Sequence, residues 1–306
     1  MFSNAIKANM PQEFQKIGLI GRKKIKKHEP FLNHLREYLE KQGCELMWDD
    51  HLDEYYGEEG KHGRAYILKH ADIVITLGGD GTVLKLVRDL PKRKNLYVFG
   101  INLGTVGFFT EVKKSGKVFE LLDEIFDGRY HVDERLVLRV TQYRKKEKVS
   151  THLALNEATI NQGNFARLIS MSASIDQRQM IKFKADGVIL ASPTGSTGHS
   201  LSAGGPILHP RIDAFVFTPI CPRELSVRPI VIPSNRQVTI TIETDRKFKD
   251  NAIGLTIDGQ IVLPLEYGDQ VKVRKSSRKL RFIRKQGGGQ KYYRLLRDKL
   301  RWGKVV

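Results

Sequence analysis

The sequence predicts an α/β N-terminal domain built on a parallel sheet, followed by a β-rich C-terminal domain. Three observations carry this expectation. Up to about residue 131, strand-like apolar runs alternate with amphipathic helical stretches. From about Val132, runs rich in Val, Ile and Thr follow one another between turn residues. One run, Asp72–Leu77, is almost wholly apolar and ends in Gly78-Gly79, as suits a strand buried on both faces. The domains expected are 1–131, 132–285, and a tail, 286–306, whose helix packs back on the body.

Ile17–Arg22 reads as the first strand. Glu29–Gln42 reads as a helix with Phe31, Leu35, Tyr38 and Leu39 on one face and Gly43 as its stop. Cys44–Trp48 is the next strand, Lys61–His70 a weaker helix, Asp72–Leu77 a strand, a helix starts at Thr82, and Leu96–Ile101 is a strand. In the second half strands are expected at Leu136–Tyr143, Thr151–Asn161, Leu168–Asp176, Phe183–Ser192, Phe215–Ile220 and Val238–Glu243. Ile253–Gln260, Gln270–Lys275 and Leu280–Lys285 continue them. After Gly287-Gly288-Gly289, Tyr293, Leu296 and Leu300 mark a last amphipathic helix.

The chain has 306 residues, 40% hydrophobic and 28% charged, the size of about two domains with a substantial core. No apolar stretch approaches the ~18–20 residues of a membrane span, and the N-terminus lacks the pattern of a secretory signal. Two cysteines, Cys44 and Cys221, are too few for a disulfide framework or thiolate zinc site, so a reducing, cytoplasmic setting is expected. The net charge is +18, and residues 272–304 hold fourteen Lys or Arg against one acid, Asp298. That stretch reads as a nucleic-acid-binding tail, or as a basic surface that is simply solvated or attracts a polyanionic small molecule or a neighbouring subunit. Its few aromatics, Phe282, Tyr292, Tyr293 and Trp302, mostly fall on spacings that suit burial, which disfavours nucleic acid.

Four motifs carry candidate chemistry. Gly78-Gly79-Asp80-Gly81-Thr82 follows a buried strand and opens a helix, where glycines let backbone approach phosphates and unpaired N–H groups face an anion. The alternative there is a plain turn with an N-capping aspartate. Gly100–Thr110 offers the Asn102 amide and a flat Phe108 ring, unless its phenylalanines simply enter the core. Asn156-Glu157 interrupts an apolar strand; successive strand residues face opposite sides, and a bulge would be needed to aim both at one ligand. Asp186–Pro206 runs from a strand into a turn dense in hydroxyls and glycines, suited to a nucleotide lying against backbone. Neither a Rossmann G-x-G-x-x-G nor a Walker loop stands in place of GGDGT, and no dedicated metal ligands are evident.

The chain resembles the NAD kinases over nearly its whole length. The resemblance rests on GGDGT at 78–82, GINLGTVGFFT at 100–110, LNEATI at 155–160, the block 186–210, TPICPRELSVRPIVIP at 218–233, IDGQ at 257–260 and KLRWG at 299–303. It implies an active site in the inter-domain cleft, where the γ-phosphoryl group of ATP, with Mg²⁺ or another divalent cation, passes to the 2′-hydroxyl of the adenosine ribose of NAD. By the same resemblance Asp80 is the general base, Gly81 lines the NAD site and Phe108 contacts adenine. Asn156 and Glu157 bind the adenosine side, Asp186 reaches the nicotinamide end, and Thr197, Gly198, His199, Ser200, Leu201 and Ser202 wrap the adenosine. Gln260 is a further NAD contact, and Lys85 and Lys184 stand where relatives often place basic groups. Homodimers or homotetramers are implied. Two departures stand out: Thr197-Gly198-His199 replaces the usual Thr-Ala-Tyr, and Val106 and Phe109 replace commoner leucines.

An oriented carboxylate suits this chemistry, because a ribose hydroxyl is a poor nucleophile until a base takes its proton. Two rival readings are a lipid kinase sharing GGDGT and a non-catalytic dinucleotide-binding protein. The 186–210 block argues against the first and Asp80 against the second.

Overall fold

The computed structural model describes residues 14–23, 25–92, 95–104, 107–110, 112–162, 168–243, 253–286 and 291–300. The chain divides into two compact units, one of Met1–Asp133 with Arg281–Val306, the other of Glu134–Leu280.

The first unit is a parallel sheet in the order β2-β1-β3-β4: β1 Lys16–Gly21, β2 Glu45–Trp48, β3 Ile73–Gly78 and β4 Tyr97–Asn102. Ile17 pairs with Leu46 on one side and Ile73 on the other, and Ile73 pairs with Tyr97. The short β5, Val112–Lys113, continues beside β4. Residues of alternate parity face opposite ways. Ile17, Leu19, Ile73, Ile75, Leu77, Phe99 and Ile101 pack with helices α1, Glu29–Lys41, and α5, Lys117–Phe126. Ile20, Val74, Thr76 and Val98 on the other face are buried too, so every residue of β3 is enclosed, as its apolar run demands. The remaining helices are α2 Asp53–Tyr56, α3 Arg64–His70, α4 Asp80–Arg88 and, near the chain end, α7 Lys291–Leu300.

Several boundaries differ from expectation. α4 begins at Asp80 rather than Thr82, with Gly79 as its N-cap, so the aspartate belongs to the helix's first turn and does not cap it. α5 was not expected at all. In α7, Leu296 is buried and Leu300 half-buried, but Tyr293, expected to dock beside them, is 61% exposed. Val106 and residues 301–303 of KLRWG lie outside the described residues.

The second unit is a sandwich of antiparallel sheets. One contains β6 Tyr130–Arg144, β7 Glu147–Ala154, β9 Ile169–Ile175, β10 Arg178–Ala185, β14 Val238–Ile242 and β17 Gln270–Lys285. The other runs β13-β12-β11-β8-β15-β16, with β8 Glu157–Gln162, β11 Gly187–Ala191, β12 Ala214–Ile220, β13 Ile230–Pro233, β15 Ile253–Ile257 and β16 Ile261–Leu265. Their inner faces share one core, in which Leu138, Met171, Phe183, Ile240 and Val271 meet Ile160, Leu190, Phe217 and Leu255. Phe183 meets Phe217 edge-on at 5.8 Å between ring centres.

Two predicted strands are broken. Thr151–Asn161 is divided at Leu155-Asn156 into β7 and β8, and Phe183–Ser192 is divided at Asp186 into β10 and β11, which lie in different sheets. In the opposite sense, Gln270–Lys275 and Leu280–Lys285 form the single strand β17.

The sandwich has a polar anchor. Asp269 is wholly buried and accepts hydrogen bonds from Arg144 Nε at 2.9 Å and Nη2 at 2.8 Å, Gln142 Nε2 at 3.1 Å and the Glu266 N–H at 3.0 Å. Burial alone would raise its pKa, but these donors hold it below the usual carboxylate value, so the stabilisation it gives is lost as pH falls through that depressed value. Asp269→Ala leaves the guanidinium and amide without their acceptor and should destabilise the protein by about 3 kcal/mol in urea unfolding. A loss below about 1 kcal/mol would show the anchor to be dispensable.

Candidate active site

In the first unit the site grows from the carboxyl ends of β3 and β4, the edge at which open parallel sheets hold ligands. β3 ends at Gly78, Gly79 is extended, and α4 opens with Asp80. The chain leaving β4 is tied back by Asn102, whose Oδ1 accepts the Gly104 N–H at 2.6 Å and whose Nδ2 donates to Thr110 Oγ1 at 3.0 Å. Thr110 Oγ1 also accepts the Gly107 N–H at 3.2 Å. Thus fixed, the loop presents two backbone donors to Asp80: Phe108 N–H to Oδ2 at 2.8 Å and Phe109 N–H to Oδ1 at 3.0 Å. The approach is so close that a Cβ at Gly107 would fall on the Asp80 carboxylate, which makes glycine obligatory there.

The structure therefore sorts the motif residues. Asn102, read as an amide for a ligand, is buried and spends both ends on the loop. Phe109 enters the core and stacks on Phe282 at 5.9 Å, whereas Phe108 stays half-exposed. Gly81 is exposed and Lys85 half-buried, both on α4 with Asp80.

In the second unit the bend between β7 and β8 is held from two sides. Asp258 accepts the N–H groups of Leu155 at 2.8 Å, Asn156 at 2.8 Å and Glu157 at 3.0 Å. From the other side the Ser192 N–H bonds the Asn156 carbonyl at 2.8 Å, and Ser192 Oγ bonds the Leu155 carbonyl. Gly195 packs so tightly on Asn156 that a Cβ there would overlap its carbonyl oxygen. These contacts supply the bend that Asn156-Glu157 needed.

Glu157 is 7% exposed and its Oε2 has no hydrogen-bond partner. Burial first, and the Asp258 charge second, push its pKa up to about 8, so at neutral pH the carboxyl mostly keeps its proton. A Cβ on Gly198 would stand 3.6 Å from that orphan oxygen, which places the Thr197–Gly198 turn beside it.

The rest of the hydroxyl-rich block is largely scaffold. Ser196 Oγ donates to the Pro193 carbonyl at 2.6 Å and accepts the Leu208 N–H at 2.9 Å. Ser200, expected to touch the dinucleotide, is buried against Thr218 at 2.9 Å. Thr197 is half-buried and donates to the Thr194 carbonyl at 3.3 Å. Gly198, His199 and Ser202 are exposed and Leu201 half-buried, around the short helix α6, His199–Ser202. Gln260 is half-buried in the β15–β16 turn. Asp186 is exposed at the opposite end of the β8–β11 pair from Glu157: Ala191 pairs with Glu157 and Gly187 with Asn161. At about 3.3 Å per residue, the backbones of the two residues lie roughly 16–17 Å apart along the strands. Lys184 is exposed near the end of β10.

Sequence reasoning missed Asp258. Its signal was the Asp258-Gly259 turn, in which both residues have positive φ, +49° and +64°. The expected strand Ile253–Gln260 ran through that turn, whereas β15 ends at Ile257. Among the described residues, three metal-capable side chains gather at Asp49, Asp50 and His51. They follow β2, two strands from β3, and Asp49 accepts the Gly21 N–H at 3.0 Å.

The chain matches the profile of the ATP-NAD kinase N-terminal domain over residues 17–130 and that of the ATP-NAD kinase C-terminal domain over residues 155–285. A NAD kinase of Geotalea daltonii is 36% identical over 282 residues, covering 91% of this chain and 96% of the relative. A NAD kinase of Magnetococcus marinus is 42% identical over 238 residues, covering 77% and 75%. Yeast NADH kinase complexed with NADH has a TM-score of 0.84 over 98% of this chain and 94% of its own, at 23% identity. An Archaeoglobus fulgidus NAD kinase in complex with ATP has a TM-score of 0.71 over 92% and 98%, also at 23% identity. These two likenesses speak for the fold. Two profiles in chain order, and relatives matched along most of their length, leave one conclusion: the chain belongs to the NAD kinase family.

Proposed function

We propose that this phosphotransferase moves the γ-phosphoryl group of ATP to the 2′-hydroxyl of the adenosine ribose of NAD, giving NADP and ADP. The observation that carries the reading is Asp80, held at the head of α4 by the N–H groups of Phe108 and Phe109. Each of its oxygens accepts one hydrogen bond and keeps a lone pair. One of them takes the hydroxyl proton as the ribose oxygen attacks the γ-phosphorus and the bond to the β-phosphate oxygen breaks. Oxygen donors of this kind also suit Mg²⁺ brought in with ATP, which would neutralise charge on the phosphates.

The remaining roles are assigned in the same reading. Gly81 lines the dinucleotide site and the half-exposed Phe108 ring meets adenine. Asn156 and Glu157 hold the adenosine, with the protonated Glu157 donating through Oε2. Thr197, Gly198, His199, Leu201 and Ser202 border it, Ser200 supports them from beneath, and Gln260 adds a contact. Asp186, well removed from Glu157, serves the nicotinamide end. Lys85 and Lys184 provide positive charge. Cys44 and Cys221 are both free thiols, consistent with a cytoplasmic enzyme, and a homo-oligomer is the expected assembly.

Asp80→Asn keeps the size of the side chain but removes its basicity and sets an NH2 against one of the two loop N–H groups, so NAD binding should persist while kcat falls at least about 10²–10⁴-fold. Near-normal turnover of a pure variant, in an assay of NADP formed from NAD and ATP, would remove Asp80 from the role of base.

The raised Glu157 pKa fixes the sign of a second effect. Between the ordinary carboxylate value of about 4.3 and about 8 the folded state holds a proton that the unfolded chain has lost. Stability from this group is therefore complete below that window and declines as pH rises through it. Glu157→Gln should flatten the profile and gain about 2–4 kcal/mol on the wild type between pH ~5 and ~8.5 in urea unfolding. Parallel profiles would mean that Glu157 is ionised throughout.

A further inference from the structure

We propose that Arg22 and Lys114 seat the phosphate chain of the phosphoryl donor. Both residues are tied by backbone to the strand ends that create the Asp80 site. The Arg22 N–H bonds the Leu77 carbonyl at 3.1 Å, and its Cβ lies 3.4 Å from where a Cβ of Gly78 would stand. The Lys114 N–H bonds the Asn102 carbonyl at 2.9 Å. They therefore stand at the same carboxyl edge of the first unit's sheet as GGDGT.

Their charges are left without counter-charge. Elsewhere in this unit cations meet carboxylates: Lys61 sits between Asp53 and Glu58, Arg36 meets Glu40, and Lys285 meets Glu124. Among the described residues the Arg22 guanidinium meets no acceptor, and its Nε is buried. The Lys114 ammonium donates not to a carboxylate but to His28 Nδ1, at 2.8 Å. His28 is 4% exposed, and burial, then Lys114, Arg22 and Lys27, push its pKa down, so the imidazole stays neutral and accepts. Its other nitrogen, Nε2, is buried without a partner. Three cations thus act on one neutral, buried ring, an arrangement that destabilises the free protein unless an anion joins it.

The adjoining helix end favours the same ligand. His28 is the N-cap of the 13-residue helix α1 and makes no capping bond; the helix brings its positive end to the cluster, offset in part by Glu29 in its first turn. A single carboxylate would leave most of this charge unanswered, whereas a chain of phosphates answers several cations at once. A hollow of about 460 Å³ on the same loop does not compete for that ligand. Its lining mixes Lys23, Lys26 and Lys27 with the acids Asp50, Asp53 and Glu54, so it is not a one-sign site. The assignment to the donor rests on the phosphotransfer reading above; the cluster's affinity for phosphates does not.

The test combines calorimetry and kinetics on the full chain, using wild type, Arg22→Gln, Lys114→Gln, the double variant and Lys114→Arg. ATP, AMP, inorganic tripolyphosphate and inorganic phosphate are titrated separately, and KM is measured for ATP and for NAD. Each Gln substitution should weaken ATP and tripolyphosphate binding about tenfold or more, leave AMP within about twofold, and raise KM for ATP without raising KM for NAD. Lys114→Arg should recover most of the loss, and thermal melting at low salt should be unchanged or raised by each Gln variant. Undiminished ATP binding in the double variant would overturn the proposal, as would equal losses for ATP and NAD. Loss of inorganic phosphate binding alone, with ATP unaffected, would assign the cluster to a separate anion and overturn it too. A wild type that binds tripolyphosphate through these residues yet forms no NADP would retain the phosphate seat and refute the proposed reaction instead.

Discussion

Backbone N–H groups converging on a carboxylate organise each half of this protein's chemistry. In the second unit three successive N–H groups, at Leu155, Asn156 and Glu157, meet Asp258, an acid about a hundred residues further along the chain. Without that acceptor the bend would bury donors that neither β7 nor β8 can satisfy. In the first unit Phe108 and Phe109 do the same for Asp80. The two acids differ in what is left to them. Asp258 is buried, and its charge adds to the larger effect of burial in raising the pKa of its neighbour Glu157. Asp80 stays half-exposed, and each of its oxygens keeps a lone pair beyond the one loop N–H it accepts.

Much of the architecture was legible because its causes are local. The alternation of apolar runs with amphipathic stretches gave the parallel sheet, and the wholly apolar Asp72–Leu77 run marked its central strand. What escaped depends on partners distant in sequence. The break at Leu155-Asn156 is held by Asp258 and Ser192, neither of which leaves a mark on the run Thr151–Asn161. The β6–β7 hairpin turns at Lys145-Lys146, both with positive φ, where the usual Asn or Gly signal is missing. Asp186 passes the chain from one sheet to the other within a run that reads as continuous. The hydroxyl-rich block was recognised as special, but part of its meaning was internal. Ser192, Ser196 and Ser200 satisfy backbone and side-chain partners in the interior.

The basic stretch near the chain end also takes on a structural meaning. In β17 and its flank, Lys275 meets Asp213, Lys279 meets Glu134, Arg284 meets Asp133 and Lys285 meets Glu124. Lys272 lies over the Tyr143 ring at 4.4 Å. Exposed pairs of this kind add little stability singly. They do absorb part of the charge that composition alone would assign to a polyanion, through acids on β6, on α5 and just before β12.

The hold on Asp80 comes from main-chain atoms, and this bears on how such a protein can diverge. Side chains at 108 and 109 can be exchanged without removing either bond, provided the loop keeps its path and neither position becomes proline. Only Gly107 is fixed by the carboxylate's proximity. The half-exposed ring of Phe108 and the position of the Asp80 carboxylate are thus set by different atoms of one loop. The side chain at 108 can drift across generations while the hold on the carboxylate is inherited intact.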